Sequence, residues 1–138
     1  MADLLRMSEA TALGLHAMAT ISEEAEPVQA SPLAEDLCAS EAHLSKVLQQ
    51  LVRAGLLQSR RGPNGGYALT RPAAEISLLE VYEALEGPMR RDACLFAAPV
   101  CDRVHCLLGD LVERVRQTVF EELASTSLAR AQERGRRS

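Results

Sequence analysis

Between Ser31 and Pro72 the chain is punctuated so closely that few folds remain open to it. Ser31-Pro32, followed by Glu35 and Asp36, reads as a helix start. Serine is a good N-cap, proline suits the first turn, and acids favour the positive end of the helix dipole. This helix is short, running to about Cys38. Ala39-Ser40 breaks the chain, Ser40 caps a second helix reaching to about Ala54, and Gly55 stops it. Leu33, Leu37, Leu44, Val47, Leu48 and Leu51 give the two helices one shared apolar side. Leu56 to Arg60 can then be a strand, Arg61-Gly62-Pro63-Asn64-Gly65-Gly66 a turn, and Tyr67 to Thr70 the return strand. Short helix, tight turn, longer helix and hairpin is the order of a winged helix-turn-helix. An ordinary αα-hairpin in a core explains the helices but not the hairpin that follows.

The flanks extend this reading. Leu4 to Ile21 carries apolar residues near helical spacing and is ended by Glu23-Glu24-Ala25-Glu26-Pro27. Ser77-Leu78-Leu79-Glu80 is a capping box opening a helix over 78–86, which Gly87-Pro88 ends. Met89 to Cys106 is irregular and holds three of the four cysteines. From Leu107 the pattern is helical again, with Leu108, Leu111, Val112, Val115, Val119 and Leu123 in one stripe. No later element is expected to cover that stripe, so it predicts a homodimer. Ala129 to Ser138 is polar and Arg-rich and reads as a frayed tail. With two Tyr, two Phe and no Trp in 138 residues, the core must be Leu, Val and Ala, which favours helices. The expected fold is therefore mainly α with a small β-hairpin wing. Residues 1–88 form a winged-helix DNA-binding domain and 89–106 a cysteine-bearing sensor loop. Residues 107–131 form a long C-terminal dimerisation helix and 132–138 a disordered tail.

Charge points to the partner. Residues 1–41 carry eight acids and one base, while the 33 residues 42–74 carry no acid and five bases, Lys46, Arg53, Arg60, Arg61 and Arg71. An acid-free stretch in a chain of net charge −4 calls for an anionic partner, and the ordinary alternative is a solvated basic face. On a winged helix-turn-helix the expected anion is the phosphate backbone of double-stranded DNA. The hairpin tip, with Arg60, Arg61 and Asn64, can approach phosphates or enter a minor groove.

The segment Leu51 to Pro72, LVRAGLLQSRRGPNGGYALTRP, resembles the wing of the Rrf-two family of bacterial winged-helix transcriptional regulators. Val81, Ala84-Leu85-Glu86-Gly87-Pro88 and the cysteines after them resemble the same family, over about Arg6 to Ala131. The resemblance implies a homodimer on a palindromic operator, with a recognition helix in the major groove and a wing in the minor groove of each half-site. It implies that Ser40, His43, Ser45, Lys46, Gln49 and Arg53 serve the recognition helix, and Arg60, Arg61 and Asn64 the wing. Arg61 matches the wing Arg that enters the minor groove. Ser45 stands where the family's iron–sulfur regulator carries a Glu, and His43 where it carries a Tyr. Ala10 and Ala12 depart from members with basic residues in the first helix.

The resemblance also gives the cysteines a role. Cys94, Cys101 and Cys106 lie where the family holds an iron–sulfur cluster (2Fe–2S) by three Cys. Soft thiolates suit that chemistry. The family's fourth ligand, a His three residues after the last Cys, is Gly109 here. His105 is the nearest alternative, with Asp92, Asp102 or Glu9 of the partner's first helix behind it. Redox thiols without a cluster remain open, and zinc is disfavoured because C-x2-C pairs are lacking. Cys38, ending a short apolar helix, is expected in the core.

No apolar run of about eighteen residues is present, and Met1 to Arg6 lacks the pattern of a signal peptide, so the cytoplasm and no membrane are expected. No nucleophile–base pair, phosphate-binding Gly loop or C-x-x-C motif speaks for an enzyme. The expected function is a DNA-binding regulator, a repressor, that senses iron–sulfur status or redox and nitrosative stress. The alternatives are a cluster-free regulator answering a metabolite, a partner protein or thiol oxidation, and a winged-helix protein-interaction module.

Overall fold

The computed structural model describes residues 7–90, 94–96 and 106–137. Cys101 and His105, with Asp92 and Asp102, lie outside the described residues, as do the first six positions. Among the described residues six α-helices and one hairpin follow in the order α1 (Glu9–Glu23), α2 (Ala30–Asp36), α3 (Glu41–Arg53), β1 (Leu57–Arg60), β2 (Gly66–Leu69), α4 (Leu78–Glu86), α5 (Leu111–Ser125) and α6 (Leu128–Arg137). A single 3-10 turn, Ala73–Glu75, precedes α4. The fold is a mainly helical winged helix. No helix among the described residues is long and apolar enough to cross a membrane.

The core follows the apolar periodicity. Leu44, Val47, Leu48 and Leu51 of α3 are all buried, against Ala17, Met18 and Ile21 of α1, Leu33 of α2, and Leu56 and Leu57 at the entry to the hairpin. In the hairpin Leu57 pairs with Leu69 and Arg60 with Gly66 in an antiparallel register. Gly55 has φ 79°, the left-handed conformation that lets the chain leave α3 and turn at once into β1. The capping box forms as expected. Glu80 N–H donates to Ser77 Oγ at 3.1 Å and Ser77 N–H donates to Glu80 Oε2 at 2.9 Å.

Four expectations are corrected. The first helix does not begin at Leu4: Ser8 is its N-cap, accepting from Thr11 N–H at 3.2 Å. Ser31 does not cap α2, whose N-cap is Gln29, so Pro32 falls at the third helical position, where an N–H has no intrahelical partner anyway. Cys38 is exposed rather than in the core. It adopts φ 51°, with its N–H on the Glu35 carbonyl at 3.1 Å and the Ala39 N–H on the Ala34 carbonyl at 2.9 Å. That is a Schellman end to α2, and its left-handed residue turns the side chain outward.

The fourth correction concerns the C-terminus. The helix expected over 107–131 is α5 from Leu111 to Ser125, and an extended pair, Thr126-Ser127, separates it from α6. Leu78 N–H donates to the Thr126 carbonyl at 2.9 Å and Leu128 N–H to the Ile76 carbonyl at 2.8 Å, stitching this break to the start of α4. Residues 132–137 are helical, not a disordered tail. Leu128 is 1% exposed in the common core, Gln132 Nε2 donates to the Ala19 carbonyl at 2.7 Å and contacts Ser22 Oγ, and Arg134 and Arg136 pair with Glu122 and Glu23. The last ten described residues thus clasp α1 and belong to the winged-helix body.

Candidate nucleic-acid interface

Helical geometry sorts the residues of α3. Leu44, Val47, Leu48 and Leu51 face inward, so Lys46 and Arg53, seven residues apart, share the opposite, exposed ridge. Ser45 and Gln49, four apart, lie along one flank of that ridge, and His43 lies toward the other flank. Ser45 and His43 are half-exposed, whereas Gln49 is exposed. Ser40 is exposed and caps the helix, its Oγ accepting from His43 N–H at 3.1 Å. Glu41 in the first turn and Arg53 in the last match the helix dipole.

The wing carries Arg60 at the end of β1 and Arg61 and Asn64 in the turn, all exposed. The side chains of four of the five bases in the acid-free stretch, Lys46, Arg53, Arg60 and Arg61, form no ion pair or hydrogen bond among the described residues. Arg71 differs: its guanidinium donates to Glu80 Oε1 at 2.5 Å. Asn64 lines a groove of about 670 Å³ with Glu24, Glu26 and Asp36, so three acids stand beside the wing tip. Phosphates approaching from that side meet like charge, which leaves the α3 side as the favourable approach.

The hairpin is joined to α3. Gln49 Nε2 donates to the Tyr67 hydroxyl at 3.1 Å. Tyr67 itself is held by a backbone bridge to Val28. This link was not foreseen from the sequence. The only trace of it is a tyrosine after two glycines, in a chain with so few aromatics.

Of the proposed cluster ligands, Cys94 is 8% exposed and Cys106 is half-buried, both as free thiols. Among the described residues no three His, Cys, Asp or Glu side chains converge as a metal site. The donor set is right in kind for a cluster, two soft thiols among the described residues and a third at Cys101 in the sequence. A second feature missed in the sequence is Arg116. It lies on the apolar side of α5 beside Val112, is 7% exposed, and donates to the Cys94 carbonyl at 2.9 Å. A charge at helical spacing within the apolar stripe, four residues after Val112, was the available signal.

Comparison with known proteins follows this geometry. The profile of Rrf2, described as an iron-dependent transcriptional regulator, matches residues 7–134. The chain belongs to the Rrf2 family. An Rrf2 relative, the HTH-type transcriptional regulator IscR of Cereibacter sphaeroides, is 48% identical over 90 residues, covering 63% of this chain and 58% of the relative. Among solved structures, CymR (YrzC), the global cysteine regulator of B. subtilis, superimposes with a TM-score of 0.80 at 27% identity, covering 94% of this chain and 97% of its own. IscR of T. potens gives 0.74 at 28% identity over 95% and 88%. The winged-helix expectation and the family resemblance both hold. The chain is a transcriptional regulator of the Rrf2 type with DNA as its partner, and its relatives are regulators rather than enzymes.

Proposed function

We propose that this Rrf2 chain is an operator-binding homodimer, a repressor, whose occupancy of DNA is set by the state of Cys94, Cys101 and Cys106. The observation that carries the DNA half is the cationic face of α3 and the wing. Lys46, Arg53, Arg60 and Arg61 are exposed, and no described acid neutralises them. Ser45 and Gln49 are assigned to base edges, Lys46, Arg53 and Arg60 to phosphates, and Arg61 to the minor groove, with Ser40, His43 and Asn64 supporting. A dimer doubles this set. If about six phosphates are engaged, log affinity falls with log salt at a slope of about −5. Action on an operator implies the cytoplasm.

The dimer reading rests on α5. Leu111 is 43% exposed beside exposed Leu108, a pair of leucines that a monomer has no reason to leave in water. The sensing reading rests on the family's description as iron-dependent and on the donor set. Cys94, Cys101 and Cys106, with His105 as candidate fourth ligand, would hold the cluster. When bound, it would supply a centre reactive toward oxygen and nitric oxide. Arg116 ties the carbonyl of Cys94 to α5, so a change at this thiol is felt by the element assigned to dimerisation. A second reading, a cluster-free thiol or metabolite regulator, is favoured by Gly109 at the family's usual ligand position and by the likeness to the cysteine regulator CymR.

Protein purified without oxygen decides between them. Visible charge-transfer bands that disappear in Cys94→Ser, Cys101→Ser and Cys106→Ser support the cluster. A colourless chain whose DNA binding still responds to thiol oxidation supports the second reading. Mobility shifts at several salt concentrations test the DNA half, which fails if Arg60→Ala with Arg61→Ala leaves affinity unchanged.

A further inference from the structure

Tyr67 meets three parts of the fold at once. It lies in β2 opposite Ser59 of β1. Its carbonyl accepts from Val28 N–H at 2.9 Å, and its own N–H donates to the Val28 carbonyl at 2.8 Å. Its hydroxyl accepts from Gln49 of α3 at 3.1 Å. Gly66 permits this approach: at φ 142°, a Cβ there would stand 2.5 Å from the Val28 carbonyl oxygen. The wing is therefore joined to α3 by one stiff aromatic side chain whose base is pinned from the backbone.

The link has a consequence for base reading. A free glutamine amide turns over, offering its N–H2 to a carbonyl or its oxygen to an amino group. In the major groove guanine and thymine present carbonyl oxygens, while adenine and cytosine present amino groups. The Tyr67 hydroxyl can accept from this amide or donate to it, so the link fixes where the Gln49 amide sits, and with it the base pair it addresses, rather than which end of it faces the base.

We propose that Tyr67 is a positioning residue for Gln49, holding its amide against one base pair of each half-site so that discrimination at that pair depends on the Tyr67 hydroxyl. The wing thereby sets the base preference of the recognition helix, not only its affinity. This rests on the reading of α3 as the helix that enters the groove, and the test separates the two.

The full-length chain is used to select from a library of duplexes with randomised bases. The best duplex is then competed, at one salt concentration, against each of its single base-pair substitutions. One position per half-site should depend on Gln49, its preference being lost in Gln49→Ala. In Tyr67→Phe, which keeps the ring and removes the hydroxyl, discrimination at that position alone should fall about 3–10-fold, the worth of one neutral hydrogen bond. A uniform loss of affinity in Tyr67→Phe, with every base preference intact, overturns the proposal and leaves Tyr67 as a structural support. The same holds if Gln49→Ala, an exposed change that leaves the fold intact, alters no preference. Lys46→Ala is measured alongside. If it costs no affinity for any duplex, the groove-helix reading falls, and this inference with it.

Discussion

Cys38 occupies a position that a non-glycine side chain tolerates poorly, and that makes its replacement a sharp test of the helix-turn-helix geometry. It is the left-handed residue closing α2, at φ 51°. A side chain with a Cβ costs about 1–2 kcal/mol in that conformation. Glycine removes the cost but adds freedom to the unfolded chain worth about 0.4–1 kcal/mol. The thiol is exposed, so no burial is lost with it. Cys38→Gly should therefore stabilise the protein by about 0.5–1 kcal/mol net. For 138 residues that is a rise of about 2–4 °C in the melting midpoint. Cys38→Ala keeps the Cβ and should change little, while Cys38→Val, branched at Cβ, should destabilise. Urea and thermal unfolding of the four proteins at one protein concentration measure the order, since an oligomer's midpoint moves with concentration. If glycine is no more stable than alanine, the left-handed turn is not what ends α2, and the account of the α2–α3 junction is wrong.

Leu111→Asp with Val115→Asp should give a 15 kDa species by light scattering that no longer shifts DNA, while helix content is retained. Leu128→Ala should destabilise the whole chain by about 2–4 kcal/mol, because the residue belongs to the common core; an unchanged urea midpoint would detach α6 from that core. Burial works to raise the pKa of Glu80, but the Ser77 N–H and the Arg71 guanidinium outweigh it and hold the carboxyl below its ordinary value of 4.5. That contribution is present above about pH 4.5 and is lost as pH falls through the lowered value. Glu80→Gln keeps the cap but not the charge, so its stability should be flatter with pH below 4.5 than the wild type's, by less than about 1 kcal/mol because both partners are partly exposed.

The helix-turn-helix and its wing were legible in the chain because local terms build them. Ser40 caps α3, Gly55 releases it, the period of Leu44, Val47, Leu48 and Leu51 sets its inner face, and Ser77 with Glu80 opens α4. Each of these acts within about one helical turn, so spacing alone reveals it. With the inner face known, the outer ridge of Lys46 and Arg53 follows. What escaped the sequence depends on elements meeting far apart in the chain. The polar stretch 128–137 has too little apolar surface to form a helix alone. It is one because Ala19, Ser22, Glu23 and Glu122 wait for it on α1 and α5. Cys38 looked buried beside Leu37, until the turn of the chain rotated it outward. Gln49 and Tyr67 are 18 residues apart, and Cys94 and Arg116 are 22. Such pairs are decided by the angles at which helices and hairpin pack, which arise only when the apolar faces close on one another and no single segment encodes.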